Sequence, residues 1–117
     1  MRLNEITFND SRPIDGYGPG FFRVGGEVFQ GGVLVAPNGV AAWEGYAAAD
    51  ALTALADQID VLFVGTGAET AHIPGAFRKM LEDAGIGVES MASPAACRTY
   101  NILLSEGRRV AAALLPV

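Results

Sequence analysis

Apolar positions follow two different rhythms along this chain. Through residue 45, short β-type runs (Phe21–Val24, Val28–Phe29, Val33–Ala36 and Val40–Trp43) are separated by glycines. The break Pro37-Asn38-Gly39 reads as a hairpin turn: proline presets one turn torsion, and asparagine and glycine tolerate positive φ. This half predicts antiparallel hairpins. From residue 50 the rhythm becomes helical. Asp50 is a candidate N-cap for a helix over 50–58, with Leu52, Leu55 and Ala56 on one face. Ile59–Val64, interrupted only by Asp60, is a run of β-branched, leucine and aromatic residues, the pattern of a strand covered on both faces.

Gly65-Thr66-Gly67 ends that strand. Pro74 fits the first turn of a second helix, with Phe77, Leu81 and Ala84 as its apolar stripe and Gly85 as its stop. Ile86–Met91 predicts another strand. Ser93 and Pro94 form a candidate cap and first-turn pair for a helix that runs to Glu106, before Gly107. Val110–Leu115 is the last strand. The pattern over residues 60–115 is strand, helix, strand, helix, strand, which calls for parallel neighbours joined by right-handed crossovers. With the hairpins of the first half, this predicts an α/β fold around a mixed sheet.

Composition narrows the function classes. The chain has 117 residues, half of them apolar and 18% charged, so it fits a single domain over 1–117 with a core of its own. Its formal net charge is -5 and its basic residues are scattered, which argues against nucleic-acid binding. One cysteine and one histidine are too few for a metal site or an internal disulfide, and no cofactor fingerprint is complete. Apolar stretches fall short of a membrane span. The acidic residues Glu5, Asp10 and Asp15 fit neither a signal peptide nor a mitochondrial presequence, so the expected location is cytoplasmic.

In open α/β sheets ligands favour the crevice beyond the carboxyl ends of the strands. Here that edge would carry Gly65, Thr66, Gly67, Ser93 and the start of helix 94–106, whose N–H groups suit an anion. The Gly-Thr-Gly element lacks the third glycine of a dinucleotide fingerprint and the Gly-Lys-Ser/Thr of a P-loop, and a tight strand-to-loop turn is the better reading of it. Cys97, near the start of its helix, and His72, in the loop at the same edge, make a thiol–imidazole dyad geometrically conceivable. Cys97 lies on an apolar stripe with Tyr100 and Leu104, however, where a lone cysteine is ordinarily a small core residue. Arg98 and Asn101, three apart, either anchor a partner or a small anion, or brace the helix internally. No complete catalytic set is present.

Several strings carry a resemblance. They are Phe22-Arg23-Val24-Gly25-Gly26, Gly32-Val33-Leu34-Val35, Val61–Gly67 and Gly85-Ile86-Gly87-Val88-Glu89-Ser90-Met91. More distinctive are Ala95-Ala96-Cys97-Arg98-Thr99-Tyr100-Asn101-Ile102-Leu103 and the closing Glu106-Gly107-Arg108-Arg109-Val110-Ala111-Ala112-Ala113-Leu114. Together they resemble the domain of unknown function 498 family, which includes mitochondrial complex I assembly factor 3. The resemblance spans nearly the whole chain. It implies a three-layer α/β fold around a mixed sheet, and a non-enzymatic assembly role with a protein partner in membrane-complex assembly machinery. The missing presequence makes the chain look like a bacterial cytoplasmic version. The alternative is a small-molecule or anion binder, or an enzyme, using the Gly65–Gly67 edge.

Overall fold

The computed structural model describes residues 11–117. The segment bearing Glu5 and Asp10, on which the reading of the N-terminus partly rests, lies outside the described residues. Five strands occupy the first half: β1 (Ile14–Gly18), β2 (Phe21–Val24), β3 (Glu27–Gln30), β4 (Val33–Ala36) and β5 (Gly39–Ala42). Then come α1 (Asp50–Thr53), β6 (Val61–Gly65), α2 (Gly75–Asp83), β7 (Gly87–Met91), α3 (Ser93–Ser105) and β8 (Val110–Leu114).

The central sheet has the order β5-β4-β8-β6-β7. It is mixed: β6 runs parallel to β7 and β8, while β4 is antiparallel to β8 and β5. Alternation along the strands divides the core between the two faces. On one face Leu34, Leu62, Val64, Ala111 and Ala113 pack against Leu52, Leu55, Phe77 and Leu81 from α1, α2 and their flanks. On the other, Val33, Val35, Phe63, Ala112 and Leu114 pack against Ala96, Cys97 and Tyr100 of α3 and against Ile14, Phe22 and Val24. The molecule therefore has three layers. The small side chains of β8 allow both outer layers to approach the middle of the sheet, and all of its residues are buried.

Several local expectations are corrected. The strands of the first half do not all join the central sheet: β1, β2 and β3 form a separate antiparallel sheet. Its first strand, with the sequence Ile-Asp-Gly-Tyr-Gly, lacks an apolar alternation that would announce it. The helix predicted over 50–58 is shorter, with Ala49 rather than Asp50 at its N-cap, and turns follow to residue 58. Pro74 is the N-cap of α2 instead of a first-turn residue. Gly85 and Gly107, at φ 92 and 80, stop α2 and α3 as their left-handed backbone requires.

Candidate functional site

The carboxyl ends of β6 and β7 do meet the start of α3, but the crevice between them is filled by the protein's own bonds. Thr66 N–H donates to Met91 O at 2.8 Å, and Ser93 N–H donates to Gly67 O at 2.8 Å. Ser93 is not the N-cap. That position belongs to Ala92, and Ser93 is the first helical residue with Pro94 behind it. Its hydroxyl accepts from Gly67 N–H at 3.0 Å and donates to Leu115 O at 2.7 Å. One fully buried serine thus ties the ends of β6 and β8 to α3. The approach is close: a methyl group on Gly65 would stand 2.5 Å from Ser93 Oγ and 2.9 Å from Ser93 Cα. The Thr66 hydroxyl donates to Glu69 O at 2.7 Å and accepts from Ala71 N–H at 3.1 Å, which folds the following loop back on the strand end.

The structure thus brings Gly65, Thr66, Gly67 and Ser93 together and leaves the other candidates elsewhere. His72 is exposed on the loop before α2. Cys97 is 4% exposed in the core, and burial pushes its thiol up to about 11 despite nearby Arg98. A thiol of that kind is protonated at neutral pH and is a poor nucleophile. Arg98 is exposed, whereas Asn101 turns towards β1. Asn101 Oδ1 accepts from Ile14 N–H at 2.8 Å, and its Nδ2 donates to Ile14 O at 2.8 Å. Beside it, Tyr100 Oη donates to Arg12 O at 2.9 Å. The Arg98–Asn101 pair therefore does not act as one hand. Asn101 is a brace that imitates a neighbouring strand for β1.

A second feature went unread in the sequence. Trp43, Tyr46 and Phe77 form an aromatic cluster, with Tyr46 edge-on to Phe77 at 5.0 Å and to Trp43 at 5.8 Å. Trp43 is buried, and its Nε1 has no partner among the described residues. Next to this cluster a concavity of about 460 Å³ is lined by Tyr46, Ala49, Asp50, Pro74, Phe77 and Met80. Its lining is mostly apolar, and burial raises the pKa of Tyr46. The residues come from segments some thirty positions apart, so spacing alone does not reveal them.

Fold and site together define a three-layer α/β protein whose conventional ligand edge is laced shut by Ser93. The chain belongs to the family described as "Protein of unknown function (DUF498/DUF598)", whose profile matches residues 14–115. It is 49% identical over 117 residues to an uncharacterized protein of Rhodobacter capsulatus, covering 100% of this chain and 94% of that protein. It is 36% identical over 110 residues to NADH dehydrogenase [ubiquinone] 1 alpha subcomplex assembly factor 3 of Danio rerio, covering 88% of this chain but 63% of that protein. The crystal structure of an outer membrane protein from Bartonella henselae superimposes with a TM-score of 0.86 at 35% identity, covering 95% of this chain and 99% of the other. The family thus includes assembly factors. Among the described residues no helix is long and apolar enough to cross a membrane.

Proposed function

We propose that this chain is a protein-binding assembly factor, not an enzyme, and that it acts in the cytoplasm during biogenesis of a respiratory membrane complex. The observation that carries this reading is the 36% identity over 110 residues to a factor that assembles NADH dehydrogenase. The site geometry supports it. The polar groups at the Gly65–Gly67 edge serve one another, and the cysteine is a buried, protonated core residue. The assembly factor extends beyond the aligned region, so what transfers is the role of the shared domain. The test is a native pull-down with the tagged full chain, paired with deletion of its gene. Subunits or assembly intermediates of NADH dehydrogenase are expected in the eluate, with a lowered level of assembled complex in the deletion strain. Recovery of no respiratory-chain protein, together with normal assembly in that strain, sinks the reading.

A further inference from the structure

The sheet edges are defended unequally. An open edge strand is a template for pairing, and proteins blunt such edges with charge, proline, bulges or a covering group. At β7, Arg78 of α2 reaches over and donates from Nη1 to Val88 O at 3.0 Å, and exposed Glu89 follows. At β1, the register breaks between Ile14 and Gly16, around exposed Asp15. At β3, exposed Glu27 occupies the end of the strand. The β5 strand, Gly-Val-Ala-Ala, carries no charge and no proline, and its register with β4 is unbroken from Gly39 to Ala42.

The geometry of β5 specifies what would bind there. Trp43 N–H donates to Gly32 O at 3.0 Å, which fixes the parity of the antiparallel ladder. Residues 39, 41 and 43 then bond towards β4, and the N–H and C=O groups of Val40 and Ala42 point out of the sheet. None of these groups has a partner among the described residues. Alternating donors and acceptors at strand spacing are complementary to one kind of ligand, an extended polypeptide backbone. Next to this edge, between β5 and α1, lies a concavity of about 280 Å³ lined by Leu34, Asn38, Ala41, Ala51 and Leu55 among others. In an added strand, the residue opposite Ala41 points its side chain to this face of the sheet. An apolar side chain suits that mostly aliphatic lining.

We infer that β5 accepts an extended segment of a partner polypeptide as an added strand, with one apolar side chain of the segment seated between β5 and α1. This rests on the protein-binding reading above and names the surface that performs it. Charge selects the occupant. Two copies of the chain, each with a formal charge of -5, repel one another, whereas a segment with basic flanks is attracted.

The test is amide hydrogen exchange, read by NMR on the full chain with a synthetic probe. The probe is the capped nonapeptide Lys-Thr-Val-Thr-Leu-Thr-Val-Thr-Lys, compared with the same peptide bearing threonine at its centre. Saturating leucine peptide should slow exchange at Val40 and Ala42 by at least about tenfold, because both amides gain bonds. Replacing the central leucine should weaken binding about tenfold, from the apolar burial that is lost. Ala42→Pro removes an outward N–H without touching the bonds to β4, and Ala41→Lys sets a charge at the mouth of the concavity. The slowing should be lost at Val40 in Ala42→Pro and at both amides in Ala41→Lys, while the far-UV spectrum stays unchanged. The inference is overturned if the peptide fails to protect Val40 and Ala42, or if both variants still bind it. It is equally overturned if these amides are already protected by a dimer detected in sedimentation. The peptide arm reads the edge without any cellular partner. A failed pull-down with intact peptide binding therefore counts against the assembly role alone, and a pull-down that survives Ala42→Pro counts against the edge alone.

Discussion

The parallel unit of β6, β7 and β8 and the small sheet of β1, β2 and β3 are held in the molecule by different means. In the parallel unit, β6 and β8 are central strands covered on both faces, and their side chains feed two cores. The small sheet has one apolar attachment, through Ile14, Phe22 and Val24; Asn101 bonds its first strand at Ile14 and Tyr100 bonds Arg12 just before it. The first arrangement distributes its stabilisation over many contacts. The second concentrates it in a few, so that the anchoring of the small sheet depends on individual side chains of α3.

This contrast predicts a graded response to substitution. Leu62, fully buried in the centre of β6, is the severe case: Leu62→Ala should cost about 2–5 kcal/mol in urea unfolding, and both regions should unfold in one transition. If the small sheet melts first in that variant, the two regions are less coupled than their shared core implies. Asn101→Ala comes next. It strips partners from both backbone groups of Ile14 and should cost about 1–3 kcal/mol. Its signature is local: amide exchange should accelerate in β1 and β2 and stay slow in β6 and β8. Uniform acceleration across all strands would show that the two regions open as one unit. Gly65→Ala belongs to the same range, about 1–3 kcal/mol, through overpacking against Ser93. Its test is relief by Ser93→Ala, which removes the hydroxyl that the new methyl group meets; a double variant no better than the single one would show that the Leu114 side chain and the Ser93 backbone dominate the clash.

The parallel unit was readable because its information is local. Continuous apolar runs such as Leu62-Phe63-Val64 announce two-sided burial, and Gly85 and Gly107 mark helix ends. The same density of information is missing from Ile14–Gly18, which is a strand chiefly because β2 and the Asn101 amide meet its backbone. Hairpin signals also fix which strands pair without fixing which sheet they join, so the separation of β1–β3 from β4 and β5 was hidden. At the candidate site, residue identity was informative and role was not. A Ser-Pro pair fits both cap-then-N1 and N1-then-N2, and what decides between them is Gly67 and Leu115, each more than twenty positions from Ser93. Asn101 reads from the sequence as either a brace or an anchor, and only the position of Ile14 selects the brace.

The smallest expected effect concerns Cys97, which sits on α3 where the two regions share a core. Burial favours its neutral thiol and raises its pKa from 9.0 to about 11. The folded protein therefore holds this proton more tightly than the unfolded chain does. The stabilisation is fully present below the unfolded value and is lost as pH rises from 9.0 towards about 11. Stability measured across that interval should fall in the native protein and fall less steeply in Cys97→Ala, whatever offset the missing sulfur adds at neutral pH. Tyr100 is also raised by burial, so its own stabilisation begins to fall above 10.0, within the same interval; it does so in both proteins, and the difference between them isolates Cys97. Iodoacetamide labelling gives the kinetic counterpart: at pH 8 Cys97 should react only through opening of α3, and Asn101→Ala should speed labelling if loss of the brace to β1 also loosens the helix. Labelling at the same rate in both proteins would place the brace's effect on the small sheet alone, which is the sharper form of the contrast between the two regions.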